Sequence, residues 1–264
     1  MLTIDTKDTS QLEMLRVHIA PVGFEVDRIV LPAKKMRADR VWLVVHSKKA
    51  EDMGTPFKEA IEQQLREARI ECKFQEANRT DLFDTLAALR EIILKEKGNA
   101  LFVNVSVGSK IQAIASTMVC MMFRDTAMIK MYYAVPDRYT TQPRKQETEG
   151  LRDVFMLPDY KIEKPDDILV ACLALIGERK GGRISKKELK DLAIENALIH
   201  IDEKTEHPEQ AGYMALNKNL IEPLLKWKFI RVEKSGPRHI VYLTADGINA
   251  LKFLGPGNMV ENKR

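Results

Sequence analysis

A chain of 264 residues, 45% hydrophobic and 30% charged, can bury one large core or two ordinary ones, and its longest apolar runs fall far short of a membrane span. Its net charge of +4, from 42 Lys+Arg against 38 Asp+Glu, is too small a surplus to imply a nucleic-acid partner by itself. The polar start from Met1 to Ser10 is neither a signal nor a transit peptide, and the three cysteines lie scattered without a C-x-x-C pair. A cytoplasmic protein with reduced thiols, no metal and no membrane contact is therefore expected.

Short apolar or β-branched runs at 15–20, 41–46, 70–74, 101–105 and 131–135 predict strands, and the segments between them predict helices. After the first run comes the loop Pro21-Val22-Gly23-Phe24, then a helical stretch from near Glu25. Thr55 and Pro56 read as an N-cap and first-turn proline ahead of Phe57, Ile61 and Leu65. Residues 78–80 open a second helix carrying Leu82, Leu86, Leu89 and Ile93, stopped by Gly98. The strand at 101–105 runs through Asn104 into Ser106, Val107, Gly108, Ser109 and Lys110, where a third helix starts and continues to about Phe123. The methionines from Met118 to Met131 read as core filler.

This alternation predicts an α/β domain, a Rossmann-like, mainly parallel sheet wound on both faces, which takes ligands at the carboxyl ends of its strands. The 106–110 junction fits that position. A strand–glycine–helix turn leaves backbone N–H groups free for an anion, and a lysine in the first helical turn opposes the macrodipole unless an anion lies beside it. Neither loop is a G-x-G-x-x-G fingerprint or a Walker A loop, so hydride transfer and ATP hydrolysis have no motif here.

Prolines 136, 143, 158 and 165 with Gly150 mark residues 136–164 as a linker or small hairpin, dividing a domain of residues 1–160 from one of 165–264. The second domain opens with an apolar helix over 166–178, stopped at Gly181-Gly182. Ser185 and Glu188 read as a capping box for the next helix, and a longer helix over 208–228 should kink at Pro223. A hairpin over 229–244, turning at 234–238, and a closing helix through Ile248 and Leu251 complete the order of a winged helix-turn-helix. The charge surplus sits here, with 18 Lys+Arg against 15 Asp+Glu in residues 161–264. The cluster Arg179, Lys180, Arg183, Lys186, Lys187 and Lys190 reads either as a solvated face or as a phosphate-contacting one. Asp202, Glu203, Glu206 and Glu209 precede the long helix and would repel DNA if they faced it.

Together the two halves resemble the regulators of antiviral CRISPR systems that join a CARF domain, a CRISPR-associated Rossmann-like domain, to a winged helix. The family's fourth strand ends in Asn-x-Ser/Thr-Gly-Gly-Thr/Ser-Lys. Asn104, Ser106, Gly108, Ser109 and Lys110 match it, and Val107 departs where the first glycine is expected, which would narrow the loop. Element order carries the resemblance over nearly the whole chain, while the motif spans about seven residues. It implies a homodimer holding cyclic oligoadenylate, such as cyclic tetra-adenylate, between the loops after strands one and four, with no other cofactor. Carried over, the ligand-binding positions are Val22, Gly23, Phe24, Asn104, Ser106, Val107, Gly108, Ser109 and Lys110. Lys110 and the amides of Gly108 and Ser109 would meet phosphates, Ser106 a ribose hydroxyl or phosphate, and Phe24 an adenine face.

Transcription regulation follows from that resemblance, with the ligand setting the geometry of two winged helices on double-stranded DNA. Base contacts would fall to Gln210, Tyr213, Asn217 and Lys218, and phosphate contacts to Arg183, Lys186, Lys187, Lys190, Lys234 and Arg238. The alternatives are a metal-independent ring nuclease using Ser106, Ser109 and Lys110, or a sensor of another nucleotide whose winged helix serves dimerisation.

Overall fold

A computed structural model describes residues 14–48, 52–140, 146–202 and 206–255. The N-terminal ten residues, Pro143 and Glu203, all invoked above, lie outside them. The chain forms two compact units, 1–163 and 164–264. Among the described residues no helix is long and apolar enough to cross a membrane.

The first unit is built on strands β1 (Arg16–Pro21), β2 (Arg40–His46), β3 (Glu71–Ala77), β4 (Ala100–Asn104) and β5 (Met128–Val135), all mutually parallel. Strand order is β3-β2-β1-β4-β5, so the winding reverses between β1 and β4. The central strands are continuous apolar runs because helices cover both their faces: Val17, Ile19, Val41, Leu43, Val44 and Val103 have no exposed surface. Helices α1 (Asp27–Lys35), α2 (Thr55–Glu67), α3 (Leu82–Lys95) and α4 (Lys110–Phe123) make the connections, α1 packing with α2 and α3 with α4. That is the α/β, Rossmann-like sheet expected from the sequence.

Two helix starts differ from expectation. Gly54, not Thr55, is the N-cap of α2, and α3 is capped by Asp81, whose carboxylate accepts from the N–H groups of Phe83 and Asp84. Asp81 follows the 78–80 segment read as the opening, and a carboxylate reaches two orphan donors there. The 136–164 segment is more than a linker. Strands β6 (Arg138–Tyr139) and β7 (Thr148–Glu149) form a small hairpin. Strand β8 (Asp153–Met156) then returns antiparallel to β5 and becomes the sixth strand of the main sheet.

The second unit runs α5 (Asp167–Gly177), β9 (Arg183–Ser185), α6 (Lys186–Glu195), α7 (Pro208–Leu216), a π-helical turn (Asn217–Ile221), α8 (Glu222–Lys226), β10 (Ile230–Ser235), β11 (Arg238–Leu243) and α9 (Ala245–Leu254). Its three strands lie in the order β10-β11-β9 around a core that includes Leu173, Leu189, Leu216, Leu220, Leu224 and Val241. This is a winged helix. The capping box at its second helix is half made: Ser185 Oγ accepts from Glu188 N–H at 3.2 Å, while the Glu188 carboxylate turns to Arg179 at 3.0 Å instead. The break in the long helix comes one turn before Pro223, since a proline lacks the N–H that an α-helical ladder requires and the π turn absorbs the mismatch.

Candidate functional site

The reversal of strand order opens a crevice at the carboxyl ends of β1 and β4, and the two loops suspected from the sequence meet there. They touch through glycine: a Cβ on Gly23 would lie 3.1 Å from Gly108 Cα. Gly108 has φ +79°, and a Cβ there would sit 2.6 Å from Pro21 Cβ and 2.8 Å from Gln112 Oε1. No other residue type fits this point without displacing the β1 loop or the first turn of α4. The result is a cleft of about 390 Å³. Of the nine sequence-derived positions, Val22, Gly23, Phe24, Ser106, Val107, Gly108, Ser109 and Lys110 line it, joined by Glu25, Arg28, Arg79 and Glu147.

Asn104 does not line the cleft; it is fully buried beneath it. Its Nδ2 donates to the Arg28 carbonyl at 2.8 Å, and its Oδ1 accepts from Ser106 N–H at 3.0 Å and Ser106 Oγ–H at 2.5 Å. Asn104 is thus a brace between α1 and the β4 loop, with no atom left for a ligand. The Ser106 hydroxyl has its proton committed to Asn104, so toward a ligand it is an acceptor, suited to a ribose hydroxyl and not to a phosphate oxygen.

Ser109 is also occupied. Its N–H donates to Gln112 Oε1 at 2.9 Å and its hydroxyl accepts from Gln112 N–H at 3.2 Å, a complete capping box. The same hydroxyl donates to the Arg79 carbonyl at 2.9 Å, tying α4 to the segment after β3. The Ser109 amide and hydroxyl therefore meet protein, not phosphate, and neither serine hydroxyl of the nuclease alternative keeps a free proton. The spacing Ser109-x-x-Gln112 is itself a capping-box signal that the sequence reading passed over.

Val107 is 3% exposed, and its side chain joins the core cluster with Val26, Ile29 and Leu43. Valine in place of glycine thus puts its side chain into the core beneath the cleft. Donors left for a ligand include the Gly108 N–H, which has no partner among the described residues, and Lys110, exposed and unpaired among them. Phe24 is half-buried, edge-on to Phe57 at 5.4 Å. Behind it Glu25 and Arg28, both buried, stand 3.6 Å apart. Burial raises the Glu25 pKa, against the Thr148 hydrogen bond and the Arg28 charge. Sequence reasoning assigned no role to Arg28 or Arg79.

In the second unit a groove of about 640 Å³ gathers Lys186, Lys187, Tyr213, Asn217 and Arg238, five of the ten predicted DNA contacts. Gln210, Lys218, Arg183 and Lys234 are exposed outside that groove. Lys190 is a correction. It is 4% exposed, its ammonium 2.7 Å from Glu209 and 3.2 Å from Asp191, over the Tyr213 ring. Burial works against its charge, yet the two carboxylates hold its pKa above the ordinary lysine range. A lysine so placed braces α6 on α7 and has no reach to a phosphate. It also neutralises Glu209, which the structure places in the first turn of α7 and not before it.

The first unit matches the family model described as HFX_2341_N-like, N-terminal, over residues 16–139. The second matches the DUF6293 C-terminal winged helix domain over residues 168–255. The chain is 30% identical over 220 residues to the uncharacterized protein MJ1513 of Methanocaldococcus jannaschii, covering 73% of this chain and 66% of that one. Among solved structures it is similar to Can2 from Sulfobacillus thermosulfidooxidans in complex with cyclic tetra-adenylate, at 16% identity and a TM-score of 0.41, covering 90% of this chain and 63% of that one. It is also similar to Enterococcus italicus Csm6 bound to cyclic hexa-2′-fluoro-hexa-dAMP, at 13% identity and a TM-score of 0.39, covering 51% of this chain and 35% of that one. The chain thus spans just under two thirds of the length of MJ1513.

Proposed function

We propose that the first unit senses cyclic oligoadenylate in the β1–β4 cleft and that the second, a winged helix, binds double-stranded DNA under its control. The observation that carries the reading is the cleft itself, at the reversal point of a parallel sheet. There a Gly108 N–H and a Lys110 ammonium, neither partnered among the described residues, stand at the start of α4 on one side of the cleft. The Asn-x-Ser…Gly-Ser-Lys motif resembling the CARF family falls on this loop. At about 390 Å³ the cleft has room for a nucleotide but not for a ring of four, which favours a ring shared between two copies of the chain. Helix α4 adds a half-exposed apolar stripe through Ile111, Ile114 and Met118 for such a partner.

For DNA, the supporting geometry is the groove between the start of α6, the face of α7 and the β10–β11 wing, edged by Lys186, Lys187 and Arg238. The wing turns in two residues at Gly236, φ +60°, and Pro237, so Lys234 and Arg238 project from its tip.

Incubation with labelled cyclic tetra-adenylate tests the sensor directly. The ring should bind and be recovered intact, and Lys110→Ala should weaken binding by about 1–3 kcal/mol, roughly five- to 150-fold. Absence of binding at micromolar ligand would overturn the reading.

A further inference from the structure

Glu25 and Arg28 at the inner wall of the cleft have no task in the account so far. Both are more than nine-tenths buried and both line the cleft. Arg28 donates through Nε to the Ala134 carbonyl at 3.0 Å, and its guanidinium lies 5.0 Å from the centre of the Tyr133 ring. Glu25 Oε2 accepts from the Thr148 hydroxyl at 2.5 Å. The contact between the two residues, Arg28 Nη1 to Glu25 Oε1, is 3.6 Å, too long for a hydrogen bond. One acceptor, Glu25 Oε1, and one donor, Arg28 Nη2, are left closed off from water without a hydrogen-bond partner.

Such a pair is costly to keep. An apolar pair of similar volume would remove both orphaned atoms, at the cost of releasing the Thr148 hydroxyl and the Ala134 carbonyl from their present bonds, and buried ion pairs are commonly no more stabilising than such a replacement. Their place beside the cleft therefore calls for a ligand that satisfies both atoms at once. A phosphate satisfies Arg28 but is repelled by the Glu25 carboxylate. A group that sets a donor next to an acceptor suits both, and the amino-substituted edge of a nucleobase has that order.

We propose that Glu25 and Arg28 form a nucleobase-reading subsite, in which Glu25 Oε1 accepts from the 6-amino group of adenine and Arg28 Nη2 donates to the adjacent ring nitrogen. The proposal rests on the reading of the cleft as a nucleotide site. Meeting a base requires each planar end group to turn as a unit, Glu25 loosening its Thr148 bond and Arg28 its Ala134 bond as the orphaned atoms come to the cleft. Phe24, next to Glu25 in the chain, places an aromatic face at the same wall. The phosphates then fall to Lys110 and Gly108 on the opposite loop, so the two loops divide the nucleotide between them.

The test compares cyclic tetra-adenylate with the same ring carrying unsubstituted purine in place of adenine, which removes the 6-amino donor and leaves the phosphates and ring nitrogens. The wild-type chain should bind the purine ring about tenfold or more weakly, because a buried acceptor is then left unpaired. The double variant Glu25→Leu/Arg28→Met should keep a cooperative melt, lowered by the loss of the Thr148 and Ala134 bonds, and bind both rings alike. Equal binding of the two rings by the wild type overturns the subsite and leaves the nucleotide reading standing. Discrimination that persists in the double variant also overturns it. Failure of both rings to bind the wild type removes the nucleotide reading and the subsite with it.

Discussion

Gly108 and Val107 stand side by side and answer to different forces, which mutation separates. Gly108→Ala forces a side chain into a left-handed backbone with Pro21 and Gln112 already inside contact distance, so it should cost about 1–3 kcal/mol in urea unfolding and weaken ligand binding as well. Val107→Ala removes buried methyl groups from the core, so it should cost about 1–2 kcal/mol while leaving ligand affinity unchanged. A Val107→Ala variant that gained affinity would show that the valine does crowd the cleft. Deeper in the sheet, His18 sits 1% exposed with Nδ1 3.1 Å from the Tyr132 hydroxyl and Nε2 unpartnered. Burial, with a smaller push from Arg16, lowers its pKa from 6.5 to about 4. Because the folded value lies below the unfolded one, the neutral ring's stabilisation is full above pH 6.5 and is lost as pH falls toward 4, up to about 3 kcal/mol. Glu25, raised by burial, acts with the opposite sign, gaining stability as pH falls through its shifted value. Comparing the wild type with His18→Asn isolates the histidine: the variant should lose that part of the acid slope, and an unchanged slope would contradict the assignment.

At the scale of elements, the two helix starts that matter for function, those of α4 and α6, have serine caps that do different work. Ser109 completes a reciprocal box and also reaches Arg79, so it fixes the loop from which Gly108 and Lys110 face the cleft. Ser185 makes only its own half, leaving Glu188 to neutralise Arg179. That pairing and the burial of Lys190 reduce the basic cluster to Lys180, Arg183, Lys186 and Lys187, of which Lys186 and Lys187 line the groove. In the DNA reading, Lys186→Ala/Lys187→Ala should lower affinity and reduce the slope of log K against log salt by about two. Lys190→Met should leave that slope unchanged while lowering stability; a reduced slope would mean that Lys190 reaches phosphate after all. Much of this was legible in the residues. The continuous apolar runs of β1, β2 and β4 announce strands buried on both faces, and α4 begins and ends where its periodicity places it. Strand β8 was not legible. Its four residues include exposed Phe155 and Met156, and pairing with β5 on one side alone makes it a strand. Glu25 and Arg28 were not legible either. No local pattern marks two charges near a helix start as buried; their partners Tyr133, Ala134 and Thr148 lie more than a hundred residues away.

For the molecule as a whole, the proposed reading makes the chain a sensor if binding in the first unit changes what the second does, and in that reading a ring shared by two copies supplies the means. The same symmetry sets the stoichiometry. Calorimetric titration of the chain with cyclic tetra-adenylate tests this most directly. The account predicts saturable binding at one ring per two chains, weakened at least about fivefold in Lys110→Ala with the stoichiometry unchanged. No heat of binding at micromolar ring, or an affinity indifferent to Lys110, would contradict it.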